Sequence, residues 1–105
     1  GYVTRDNRWD NYWREGPNSV LGWDESLPSG GYGAQTWGME LGNSEAFATC
    51  QVEKVFKHVC FRPDNSDADR AAITTIAQDF MSTGHSMKKV FAQVAEYCTA
   101  GEAAP

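Results

Sequence analysis

The sequence predicts an all-α fold: a small three-helix unit over residues 44–100, with an irregular Trp/Gly-rich segment over residues 1–43 wrapped on it and a frayed tail at 101–105. Three observations carry this expectation. The first 43 residues hold all four tryptophans and eight of the ten glycines, whereas the remainder is patterned. Three apolar stripes at steps of three and four follow one another in that remainder, as amphipathic helices require. Clear breakers separate them, Arg62-Pro63-Asp64-Asn65 after the first stripe and Gly84 after the second.

In chain order, residues 5–14 read as a short helix with Trp9 and Trp13 one turn apart. Gly16-Pro17-Asn18-Ser19 ends it, and the glycines and Pro28 of residues 20–35 leave little room for regular structure. Residues 36–41 can form one further helical turn. The first long helix, about 44–60, presents Ala48, Val52, Val55, Phe56 and Val59. The second, about 67–82, starts on Ser66 with Asp69 three residues on, a capping box with Asp for Glu, and presents Ala72 or Ile73, Ile76, Ala77 and Phe80. The third, about 87–98, has Ser86 as N-cap and presents Met87, Phe91, Val94 and Cys98, with Val90 beside them. Phe56, Phe80 and Phe91 are expected to meet in the core.

Fourteen carboxylates against nine Lys and Arg give a net charge of -5, which argues against a nucleic acid partner and against an anionic membrane surface. No apolar run approaches the ~20 residues of a membrane span. The chain opens Gly1-Tyr2-Val3 with neither leader nor initiator Met, which predicts a processed chain or a portion of a longer one.

Three cysteines allow one disulfide. Short connections make the first and third long helices run the same way, so their C-terminal ends bring Cys60 towards Cys98. Cys50 lies about 15 Å further down the first helix at ~1.5 Å per residue. Cys60–Cys98 is the expected disulfide and Cys50 the free thiol, covered by the Trp-rich segment or facing a partner. Three reduced cysteines, or a bridge through Cys50, are the alternatives. A disulfide predicts an oxidising compartment.

No metal site is expected. His58 and Cys60, two apart on a helix, point to opposite sides, and His85 suits a staple against Val90 before the third helix. Asp64-Asn65-Ser66-Asp67-Ala68-Asp69 lacks the glycine and the alternating ligands of a calcium loop. Ser29-Gly30-Gly31-Tyr32-Gly33 lacks the lysine of a phosphate loop, and there is no G-x-S-x-G. The remaining chemistry is aromatic: Trp9, Trp13, Trp23 and Trp37 form either an extension of the core or a stacking surface.

The stretch S-E-A-F-A-T-C-Q-V-E-K-V-F-K-H-V-C-F-R, the later D-x-D-R-A-A-I-x-x-I-A-x-x-F and S-T-G-H-S-M-K-K-V-F-A-Q-V, over residues 35–100, resemble a C-terminal helical module. That module ends large secreted or periplasmic bacterial proteins of unknown function, many of which carry cytochrome c domains. The upstream W-R-E-G, L-G-W-D and G-Y-G-A are similar to the linker before it. The resemblance implies a separately matured subunit or fragment, whose partner is a haem-bearing protein or the rest of a larger precursor. No cofactor is expected in this chain itself, because C-x-x-C-H is absent.

The expected function is a non-catalytic interaction or structural module contacting a protein through Trp9, Trp13, Trp23 and Trp37, with Cys50 nearby. A small carbohydrate-binding domain with tryptophan platforms is the second reading. A small hydrolase with an acidic pair drawn from Asp24, Glu25, Glu40 and Glu45 is the third.

Overall fold

The computed structural model describes residues 5–103, and the side chains of residues 5–100. It is mostly helical, with a two-stranded sheet near the N-terminus. In order, the elements are β1 (Arg8–Asp10), 3-10 turns at Tyr12–Arg14 and Gly16–Leu21, β2 (Gly30–Tyr32), and helices α1 (Ala34–Gly42), α2 (Glu45–Cys60), α3 (Asp67–Ser82) and α4 (Met87–Ala103). The chain divides into two compact units between Phe47 and Ala48.

The C-terminal unit follows from its stripes. Ala48, Val52, Val55, Phe56 and Cys60 of α2, Ile73, Ile76, Ala77 and Phe80 of α3, and Val90, Val94 and Cys98 of α4 form one apolar core. Ser66 caps α3, its Oγ accepting the Asp69 N–H at 3.1 Å. The Asp69 carboxylate does not fold back on Ser66 as a capping box would. It accepts the Asn65 N–H at 3.1 Å and turns to Arg62 and Tyr97. At the other end of α3, Gly84 takes the left-handed φ of +82° and the His85 N–H reaches the Phe80 carbonyl at 2.9 Å, a Schellman stop. The His85 ring stands edge-on to Phe80 at 4.9 Å.

Cys60 and Cys98 lie at disulfide-bonding distance, their Cα atoms 5.7 Å apart, so the end of α2 meets the second half of α4 as the helix directions require. Arg62, just past α2, pairs with Asp69 at 2.6 Å, Tyr97 of α4 donates to the same carboxylate at 2.7 Å, and the Arg62 guanidinium lies 5.2 Å from the centre of the Phe56 ring. The Arg62 hydrogen bond, above all, holds the buried Asp69 carboxyl below the usual carboxylate range against its desolvation, with Asn65 N–H and Tyr97 adding to it. A depressed carboxyl stabilises the fold above its unfolded pKa and loses that contribution as pH falls through its folded one. The C-terminal unit is therefore expected to lose stability below about pH 5. Asp69→Asn should be less stable at neutral pH by roughly 2 kcal/mol, below the fully buried case because Arg62 keeps 35% of its side chain exposed. The variant should also lose less than the parent on acidification. Urea midpoints across the acid range test this; parallel acid limbs would remove Asp69 as their source.

Two expectations for this unit are corrected. Phe91 is not core: it is 48% exposed, while Val90 and Val94 are fully buried. The buried face of α4 is the series Val90, Val94 and Cys98, with Met87 and Tyr97 packed beside it, and Phe91 stands about 100° round the helix from Val90. The helix also continues past Cys98 and through Gly101 to Ala103, so residues 101–103 are helical rather than frayed. The tail expected at residues 104–105 lies outside the described residues.

The N-terminal unit is not an irregular segment. The expected helix over residues 5–14 is instead β1 followed by a 3-10 turn, so Trp9 and Trp13 do not share a helix face. The strand forms because a partner exists: β1 pairs antiparallel with β2 in the register Arg8 to Tyr32, Trp9 to Gly31 and Asp10 to Gly30. The glycine opposite Trp9 leaves room for the indole, since a Cβ at Gly31 would sit a tight 3.1 Å from it. Gly16 to Leu21 coil into a 3-10 helix closed by Gly22 at φ +75°, where a Cβ would collide with the Glu45 side chain at 2.6 Å. The single turn expected at 36–41 is a nine-residue helix.

What organises this unit is polar. Among its described residues, the buried positions are Asn11, Glu40 and Ser44. Glu40, 1% exposed, receives Arg14 through both oxygens at 2.8 and 2.7 Å and Asn11 Nδ2 at 2.8 Å. Arg14 Nη2 also donates to the carbonyls of Asp24 and Leu27, each at 2.9 Å. One ion pair thus ties the first 3-10 turn, the 24–28 loop and α1 together.

Candidate functional site

The tryptophans sort into three environments. Trp9 on β1 and Trp37 on α1 form a tilted pair, ring centres 5.1 Å apart at 49°. The Trp9 Nε1–H donates to Thr36 Oγ1 at 2.8 Å, and the Thr36 hydroxyl donates on to the Tyr32 carbonyl at 2.6 Å, which locks the indole to the start of α1. Trp13 is 57% exposed. Trp23 donates to the Asn18 carbonyl at 3.0 Å and lines a separate hollow with Arg14, Ser19, Gly22 and Glu25. The four therefore do not make one surface.

Two of them do meet. Trp13 and Trp37 line a cleft of about 260 Å³ with Tyr12, Asp10 and Asn11. The 3-10 turn places Tyr12 and Trp13 there, because Asn11 Oδ1 caps it by accepting the Trp13 N–H at 3.0 Å. Tyr12 is 78% exposed. Asp10 was not anticipated as a site residue; its position follows from the strand pairing, which a three-residue segment does not announce. Trp9 faces a smaller cavity of about 190 Å³ with Leu27, Pro28, Thr36, Met39 and Glu40.

The carboxylates considered for hydrolysis serve the fold. Both Glu40 oxygens are taken, and the Arg14 hydrogen bond outweighs burial to hold the carboxyl below its ordinary range. Asp24 accepts the Ser26 hydroxyl at 2.6 Å and the Ser26 N–H at 2.9 Å, which lower its pKa in that order. Neither is poised to give or take a proton near neutrality. Glu25 and Glu45 are exposed. Among the described residues no three His, Cys, Asp or Glu side chains converge as a metal site, and no helix is long and apolar enough to cross a membrane. Cys50 on α2 is an exposed free thiol.

The chain matches no protein-family model, no curated protein and no solved structure.

Proposed function

We propose that the chain is a non-catalytic interaction module of the periplasm or extracellular space that docks a protein partner through the cleft of Tyr12, Trp13 and Trp37. One observation carries this reading: two large aromatic side chains, Trp13 and Tyr12, stand mostly exposed on the wall of a cleft whose back, Trp37, is fixed by its pairing with Trp9. Exposed aromatics on a rigid backing are what interface hot spots are made of, since little ordering cost opposes binding. The disulfide-distance pair supports the compartment. The partner that the resemblance implies is a haem-bearing protein or the remainder of a longer precursor.

A sugar is the weaker occupant. Sugars need several free hydrogen-bonding groups beside the stacking ring, and both ends of the Asn11 amide are already used, on Glu40 and on the Trp13 N–H, which leaves only Asp10 and Tyr12 in the lining.

Trp13→Ala tests the reading. The indole is exposed, so the unfolding free energy should change by no more than about 0.5 kcal/mol. Affinity for a partner isolated by cross-linking in the native host, remeasured with purified components, should fall ten-fold or more, or about 1.4 kcal/mol. Val20→Ala, at a side chain that is also exposed, serves as the control. Equal affinity of Trp13→Ala and the parent would refute docking through this cleft.

A further inference from the structure

Resting on the docking reading above, we infer that the cleft receives a cation, and that the partner supplies it as an arginine side chain. The lining holds three aromatic side chains, one carboxylate and, among the described residues, no basic side chain. Aromatic faces carry negative potential and attract guanidinium and ammonium groups within about 6 Å. The unit around the cleft adds to the field: residues 1–47 carry seven carboxylates against three arginines, and one of those, Arg14, is committed to Glu40.

The carboxylate at the mouth is available. Asp10 pairs with Arg8, two residues back along β1, at 3.4 Å, with 36% and 60% of the side chains exposed. Such a surface pair contributes little and is readily exchanged for an incoming cation. Arginine fits better than lysine here because its planar guanidinium can lie flat on an indole while its edge hydrogen-bonds a carboxylate. The geometry is prepared in advance, since Trp37 is set by Trp9, Trp9 by Thr36, and the Tyr12–Trp13 turn by Asn11.

The test uses the whole chain and short blocked peptides, followed through the four indole N–H resonances. An arginine tripeptide should shift the Trp13 and Trp37 signals and leave Trp23 unmoved. It should bind at least about five-fold more tightly than its citrulline counterpart, which keeps the shape and loses the charge. Salt should weaken it. Trp13→Ala should abolish the shifts at Trp37, and Asp10→Asn should weaken binding while leaving the aromatic walls in place. Equal binding of arginine and citrulline peptides, or no shift with either, would overturn the inference. So would tighter binding of free choline, which would assign the cleft to a small quaternary ammonium. A partner that needs Trp13 yet binds unchanged after its own arginines are replaced would sink the cation while sparing the docking surface.

Discussion

Replacing Glu40 with alanine is expected to destabilise the N-terminal unit by roughly 3 kcal/mol, because it leaves the Arg14 guanidinium largely buried without its hydrogen-bonded carboxylate. Arg14 is 16% exposed in its side chain and Glu40 1%, so water can replace the lost carboxylate only in part. The same change frees Asn11 Nδ2, and with it the side chain that caps the turn bearing Trp13. This unit lacks buried apolar residues among those described, so no hydrophobic core stands in reserve. All four tryptophans lie in residues 1–47, which makes their near-ultraviolet dichroism and fluorescence a readout of this unit alone. Glu40→Gln, which keeps an acceptor but not the charge, should fall between parent and alanine variant. A Glu40→Ala protein with unchanged tryptophan signals and an unchanged urea midpoint would show that the ion pair is incidental.

The second large effect belongs to the C-terminal unit. Changing Cys60 and Cys98 together to serine removes a link across 38 residues of sequence. The chain-entropy treatment puts the loss at about 3–4 kcal/mol for a loop of that length. That is a large share of the 5–15 kcal/mol or so by which whole domains are stable. Reduction of the parent by dithiothreitol should lower the unfolding free energy from far-ultraviolet urea titration by the same amount, and Cys50→Ser should leave it in place. A reduced protein as stable as the oxidised one would mean that the twelve-residue apolar core suffices by itself.

The legible and illegible parts of this chain differ by the range of the interactions that make them. Helix α3 begins and ends at Asp67 and Ser82, where Ser66 and Gly84 mark the boundaries in sequence, because caps act within one turn. Cys60 and Cys98 could be paired from helix directions alone. Phe91 misled because Met87, Phe91, Val94 and Cys98 follow helical steps of four, three and four, whereas the direction of α4's face is set by Val90, Val94 and a Tyr97 that reaches Asp69 from 28 residues away. In the N-terminal unit almost everything is non-local. A strand of three residues is too short for its alternation to be told from chance, and the four-residue spacing of Trp9 and Trp13 imitates a helix face. Glu40 reads as a candidate for an acidic pair until Arg14, 26 residues earlier, is found against it. Within the cleft, Trp13 and Trp37 were visible by residue type, but their separation from Trp23 and the arrival of Asp10 depend on the β1–β2 pairing.

The covalent link between the end of α2 and the second half of α4 has a topological consequence for the exposed turn at Ser82, Thr83 and Gly84. A backbone cut there separates α3 from α4 in sequence, yet each fragment keeps one of the two bonded sulfurs. The nicked chain remains a single molecule under oxidising conditions, with its three helices still tethered at the Cys60 end. Where a protease reaches that turn, this unit can lose the continuity of its backbone without losing either half of its core.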